Sequence, residues 1–239
     1  MTEQTTQKKY ELLKDDTVEH FGRTLYRIKA LITFGLVGAG ELGGYIETEK
    51  NLDHSGNAWV YDNALVYDDA RVYGNACVYD NALVYGDARV YGNAQVYGNA
   101  RVYGNALVYG DARVYADAWV YGNALVYGDA RVYGNALVYG DAWVYGNALV
   151  YGDAWVFGDA RVRSFAVISE RKMIFGASNV GSENGRLTVF NGKFGLIVTR
   201  GCFTGTVDEF LSKSKEVHDD KTHHEYKLLI EVAQSRILN

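Results

Sequence analysis

Between residues 57 and 162 the chain repeats a fixed order of small apolar, variable, aliphatic, aromatic and polar positions, Ala-x-Val-Tyr-Gly-Asn/Asp, eighteen times. Every Ala slot from Ala58 to Ala160 is Ala, and every Val slot from Val60 to Val162 is Val. So short and strict a period predicts a solenoid, in which each unit stacks on its neighbours to bury a face it cannot bury alone. Read as a short strand, Ala-x-Val-Tyr places Ala and Val on one side and x and Tyr on the other. The polar pair then makes the turn: Gly accepts any backbone hand, and Asn or Asp tolerates the left-handed region better than other residues. Three strands and three corners close a triangular coil, so eighteen hexads predict six coils in a stack about 29 Å long. A flattened two-sided solenoid is the competing reading. The general rule for parallel crossovers predicts a right-handed path.

The bore is then Val and Ala, small enough for a narrow tube, and β-branched Val suits a strand. Outside, each face carries one variable column. The first reads Trp59, Cys77, Gln95, Arg113, Arg131, Leu149; the second Leu65, Leu83, Arg101, Trp119, Leu137, Trp155; the third Arg71, Arg89, Leu107, Leu125, Trp143, Arg161. Columns of Tyr stand beside them, and stacking of Tyr on Tyr and of Arg on aromatic rings adds stability beyond buried area.

Three regions follow. Residues 1–56 lose the hexad and read as an N-terminal β cap, with strands over Tyr10 to Leu13, Thr17 to Phe21 and Arg23 to Ile32 and a turn near Gly22-Arg23. A cap is required, because a stack of strands with naked ends would polymerise. Residues 57–165 are the β-helix. Residues 166–239 read as an α+β module: strands over Lys172 to Phe175, Arg186 to Phe190 and Lys193 to Thr199, the last two joined at Asn191-Gly192, then two helices. Thr206 with Glu209 and Thr222 with Glu225 fit capping boxes. Tyr226, Leu229, Ile230, Ala233 and Ile237 share one face of the second helix.

Composition narrows the function. The chain has 239 residues, net charge −5, no Pro and 20 Tyr, sixteen of them in the repeat. The repeat holds six Arg and eleven Asp without Lys or Glu, so the stem is mildly acidic and argues against nonspecific nucleic-acid binding. No apolar run is long enough to span a membrane. The stretch Met1 to Lys9 is polar and lacks the apolar core of a signal segment. Cys77 and Cys202 make no disulfide framework, so a reducing cytoplasm is the expected compartment.

The hexad, an aliphatic residue followed four places later by a small one, resembles the left-handed parallel β-helix of the hexapeptide-repeat, LpxA-like superfamily, which implies the left hand. Gly43-Gly44-Tyr45-Ile46-Glu47, Asn51-Leu52 and Gly56-Asn57-Ala58-Trp59-Val60-Tyr61 resemble the entry segment of YdcK-like β-helix proteins, a likeness spanning roughly residues 25 to 165. Gly181-Ser182, Leu187-Thr188, Gly201-Cys202-Phe203 and Glu209-Phe210 resemble a small bacteriophage or prophage module. The superfamily implies acyltransferase activity through a histidine base and loops that leave the coil. This repeat has no histidine and no interrupted hexad; His20, His54, His218, His223 and His224 all lie outside it, and a base must come within about 3 Å of its proton.

Other chemistry has bland competitors. Cys202 could be a nucleophile beside His218 or His224, but a buried structural Cys is the stronger expectation. Cys77 reads as surface. His218, Asp219, Asp220, His223 and His224 could ligate a metal, yet acidic and polar residues belong at a helix start for capping alone. Gly176 to Gly185, with Ser178, Asn179, Ser182 and Asn184, could cradle a small phosphorylated ligand such as a nucleotide, but lacks the Lys of a P-loop. No cofactor and no metal is expected. The strongest functional expectation is a non-catalytic scaffold whose Trp119, Trp143, Trp155, Tyr121, Tyr139, Tyr145, Arg101 and Arg131 meet a protein partner, a host or defence factor included, or a second copy. These residue types dominate interface hot spots, and aromatic ladders of this extent exceed the patch usual for a monomer.

Overall fold

A computed structural model describes residues 8–239; most of the polar stretch Met1 to Lys9, residues 1–7, lies outside the described residues. The hexads form three parallel sheets. Each strand pairs with the one eighteen residues on, as in Leu107 with Leu125 and Val108 with Val126. Three sheets exclude the two-sided solenoid, and their memberships are the three columns read from the sequence. Leu107 N donates to Ala124 O at 2.9 Å and Tyr109 N to Val126 O at 3.0 Å, and this pairing recurs along the stem. Each Ala from Ala58 to Ala160 and each Val from Val60 to Val162 is fully buried.

The stem is about seven turns deep rather than six. The first face holds seven strands, ending at Val167–Ile168. Ile46 pairs in register with Val66 at the other end, and Leu52 bridges to Val72. Ile46, Leu52 and Ile168 are fully buried. They fill the inward slot without the hexad spelling, so the repeat count undercounts the coils.

The turns fall on the Gly-Asn/Asp pair, as expected. The residue with positive φ is the one directly after Tyr, Gly in most coils, with φ near 70° at Gly74 and Gly110. Asp62, Asp68, Asp80, Ala116 and Ser164 adopt the same region where Gly is missing. The Asn/Asp that follows instead builds side-chain ladders: Asn57 Nδ2 donates to Asn75 Oδ1 at 3.2 Å, Asn75 to Asn93 at 3.1 Å, and Asn93 to Asp111 at 3.0 Å. The ladder stops at Asp111, because a carboxylate has no proton to pass on.

At the N-terminal end β1 (Tyr10–His20) and β2 (Arg23–Ala30) form an antiparallel hairpin that extends the second face through β3 (Leu42–Ile46). The two strands predicted before the turn are one, with a register shift between Leu13 and Thr17, and the turn is Phe21-Gly22. Lys9 Nζ donates to Ala58 O at 2.8 Å and Tyr10 Oη to Leu52 O at 2.7 Å, meeting carbonyls that no further coil can reach. Trp59 is fully buried against Tyr10 and Phe34, not outward like the rest of its column.

At the other end β4 (Ile174–Val180), β5 (Gly185–Gly192), β6 (Gly195–Arg200) and β7 (Phe203–Thr206) form one antiparallel sheet. Helices α1 (Val207–Val217) and α2 (Asp220–Leu238) cover it, burying Phe210, Tyr226, Ile230, Ala233 and Ile237 against Val180, Leu187, Val189 and Val198. Phe190 belongs to the stem core. Asn191 Nδ2 donates to Val167 O and Thr199 Oγ1 to Arg161 O, both at 3.0 Å, so the module closes the last coil.

Two expectations here are corrected. The β5–β6 turn is Lys193-Phe194, since Gly192 pairs with Gly195; Asn191 is spent on the stem. Helix α2 starts one turn early: Asp219 accepts from Thr222 N at 2.8 Å, and Glu225 accepts from Gly181 N at 3.0 Å instead of closing a box. The box at Thr206 and Glu209 forms as read.

Candidate functional site

The outward surface of the stem follows from the rung spacing. Strands about 4.8 Å apart carry identical side chains into van der Waals contact. Three Tyr columns result. Tyr67, Tyr85, Tyr103, Tyr121 and Tyr139 stack in one, which Phe157 continues at 5.5 Å. Tyr73 to Tyr145 and Tyr79 to Tyr151 form the others. Ring centroids are 4.8 to 5.0 Å apart along the first column, with planes within a few degrees of parallel. Burial between neighbouring rings raises the phenol pKa of Tyr79, Tyr103 and Tyr127 to about 12, and the adjacent phenols add to this.

The variable columns set Arg against Trp one rung apart. The Arg101 guanidinium lies 4.9 Å from the Trp119 ring centre and Arg161 lies 4.6 Å from Trp143. Trp155 is covered by Arg171 at 3.6 Å, from the segment just after the last coil. That contact was not read from the sequence, because Arg171 stands outside the repeat. Six outward Arg along the stem thus include two stacked on indoles within their own columns.

The eight residues expected to meet a partner do not share one face. Arg101, Trp119 and Trp155 stand on the second face, and Tyr121 and Tyr139 on the corner that follows it. Trp143 is on the third face, with Tyr145 on its far corner. Arg131 is on the first face beside Arg113. The second face and its corner therefore gather five of the eight. Trp119 is more than one-third exposed, whereas Trp143 and Trp155 are half-buried.

Cys202 is exposed, not buried, because Gly201-Cys202 is the turn between β6 and β7, a hairpin absent from the sequence reading. It lines a small cavity of about 170 Å³ with His218, Phe203, Phe210 and Tyr226. The His218 ring lies against Tyr226 at 5.5 Å, and His224 is exposed on α2. Cys77 is half-buried rather than open surface, and burial pushes its thiol pKa up, which disfavours the thiolate. Asp219 is committed to its helix cap and His223 Nδ1 lies 3.2 Å from Ser214 Oγ. Among the described residues no three His, Cys, Asp or Glu side chains come together as a metal site would need. The Gly176 to Gly185 stretch is strand β4 and the turn into β5 rather than one glycine-rich loop. No helix among the described residues is long and apolar enough to cross a membrane.

Comparison with known families matches the YdcK Beta solenoid repeat to residues 58–74, 70–86, 76–92, 94–109, 106–122, 118–132, 130–146 and 142–158. Comparison with curated proteins finds no match. Matched repeats, in-register parallel strands and an Ala/Val bore together make the stem of this chain a YdcK-like β-solenoid.

Proposed function

We propose that this protein is a non-catalytic scaffold: a rigid stem that holds its two capping regions at a set distance and offers its second face to a protein partner. The observation that carries the reading is the strip along the second face and its corner, Arg101, Trp119, Tyr121, Tyr139 and Trp155, with Leu137 between the two indoles. It joins stacked rings, a guanidinium and half-exposed indoles on a backbone hydrogen-bonded at every rung. Such a strip is stiff before binding, so little side-chain entropy is lost on contact, and its residue types are those that anchor interfaces. The eighteen-residue register is uninterrupted through the hexads, so coils can be gained or lost without disturbing the ends, which suits a spacer. The phage-like module resemblance implies a host protein, a defence factor included, in the bacterial cytoplasm.

The test pairs two variants of the full chain. Removing residues 75–92, one coil without any strip residue, leaves folding and partner capture intact. Replacing Trp119 and Tyr121 together by Ala abolishes capture while the melting curve stays cooperative. Capture that survives the double substitution refutes the surface, and capture lost with the coil refutes the spacer. The acyltransferase alternative rests on the superfamily resemblance alone; among the described residues no stem side chain supplies its histidine.

A further inference from the structure

Where the third face meets the C-terminal module there is a cavity of about 460 Å³. Its walls come from distant stretches: Trp143 and Arg161 from the last coils, Arg186 and Thr188 from β5, Thr199 and Arg200 from β6. The glycines once read as a phosphate cradle serve these arginines. A Cβ on Gly176 would collide with Arg186 Nη2, and one on Gly185 would lie 2.5 Å from Arg200 Nη1. Glycine at both positions leaves room for the two guanidiniums.

The charges are unevenly spent. Arg186 is neutralised, its Nη1 donating to Asp159 at 2.8 Å and to Ser178 Oγ at 3.2 Å, yet its buried Nε has no partner. Arg200 gives Nε to Tyr226 Oη and Nη2 to Val180 O, and its nearest carboxylate, Glu183, is 3.8 Å away on an exposed side chain. Among the described residues Arg161 has no carboxylate within 4 Å, and it rests on the Trp143 ring. Two guanidiniums thus retain charge and donors at the edge of one concave space. Forks of this kind pair with phosphate through two parallel hydrogen bonds.

We infer that this junction binds a phosphate ester carrying a flat ring, of the nucleoside mono- or diphosphate class, with the phosphate between Arg161 and Arg200 and the ring on the Trp143 side. Cavity size argues for an ester, since a few hundred Å³ is the scale of a whole small ligand, far more than one phosphate group fills. Trp143, with the Arg161 guanidinium over its ring, supplies the aromatic wall of the cavity. Asp141, one oxygen of which accepts from Asn123 Nδ2 at 2.9 Å, lines the same space and offers acceptors to sugar hydroxyls. This inference is independent of the partner surface, because Arg161 is not part of the second-face strip.

The test is calorimetric titration of the full chain with ADP, adenosine and pyrophosphate, repeated on R161Q, W143A and, as a remote control, R113Q. The expected result is saturable ADP binding, weakened about tenfold or more in R161Q and also in W143A, and unchanged in R113Q. Pyrophosphate should bind more weakly than ADP, and adenosine weakest. Melting curves of R161Q check that the fold persists, since only the Arg161 backbone carbonyl is used by Thr199. Absence of ADP binding at millimolar concentration overturns the inference. So does ADP affinity that ignores both R161Q and W143A. Pyrophosphate binding as tight as ADP overturns the ring and leaves a bare anion site, contrary to the proposal.

Discussion

Neighbouring residues on one strand offer a sharp comparison. Leu107 and Val108 are adjacent in the middle of the stem, each paired in register above and below, Leu107 with Arg89 and Leu125, Val108 with Val90 and Val126. Val108 is fully buried and Leu107 is not. Val108→Ala removes two carbons from the bore. Transfer accounts for about 1.6 kcal/mol at ~0.8 kcal/mol per methylene. The bore cannot collapse around the gap, because strands hydrogen-bonded to both neighbours hold its wall. A residual cavity of ~50 Å³ at ~24 cal/mol per Å³ then adds about 1 kcal/mol. The total is ~2.5 kcal/mol. Leu107→Ala removes three carbons from a side chain already half in water and leaves no enclosed gap, so it costs ~1 kcal/mol or less. Urea unfolding followed by circular dichroism, with equal slopes required for both variants, reads the difference. If the leucine truncation costs as much as the valine truncation, Val108 is not in a closed bore and the packing argument fails.

Three further outcomes follow from local chemistry. Burial, opposed by Asp53, lowers the Lys9 pKa from 10.5 to about 8; the folded chain therefore sheds a proton that the unfolded chain keeps between those values, and the stability linked to Lys9 is lost as pH falls through 8 and fully present above 10.5. The stability of the native chain relative to K9M should accordingly rise by ~1–3 kcal/mol between pH 8 and 10.5, and a flat difference in parallel denaturant titrations refutes the buried ammonium. The ladder phenols act in the opposite sense: with folded pKa values of about 12 at Tyr79, Tyr103 and Tyr127, their contribution is whole below pH 10 and lost as pH rises through 12, so ultraviolet titration should show delayed ionisation that returns to normal in denaturant. Ala116 stands at φ 58° in a slot that is otherwise mostly Gly, so A116G should stabilise the stem by ~0.5–1 kcal/mol in thermal melts, whereas G110A, whose new Cβ would lie 3.0 Å from Gly128 N, should destabilise it; equal and opposite signs reversed would contradict the turn geometry.

The stem was legible because one pattern repeats: through the hexads the inward slots take only Ala and Val, so they share one spelling and the register is forced. Ends were harder to read. Ile46, Leu52 and Ile168 fill inward slots with larger residues, which a search for the hexad passes over. Trp59 has an outward address, but Tyr10 and Phe34 return from the cap to cover it. Asn191-Gly192 is a turn dipeptide by local preference, yet the bond from Asn191 to Val167 O holds it inside β5. Cys202 was misplaced because the strand Phe203–Thr206 is too short to be read from the sequence, so nothing marks Gly201-Cys202 as a turn. Residue type alone does not place a side chain on a face, and only the eighteen-residue register shows that Arg131 lies on a different face from Trp119. The junction cavity joins residues 143 to 200 across four elements, a proximity no local pattern encodes.

The central claim is that eighteen residues make one coil and one rung of length. Leu36 at the N-terminal cap and Cys202 in the C-terminal module are both exposed, so spin labels on L36C and native Cys202 report the separation of the ends. Deleting residues 75–92 also removes Cys77, and C77A serves as the full-length reference. The account predicts a narrow distance distribution that shortens by ~4–5 Å, one strand spacing. An unchanged distance, or one that broadens into many, would contradict it.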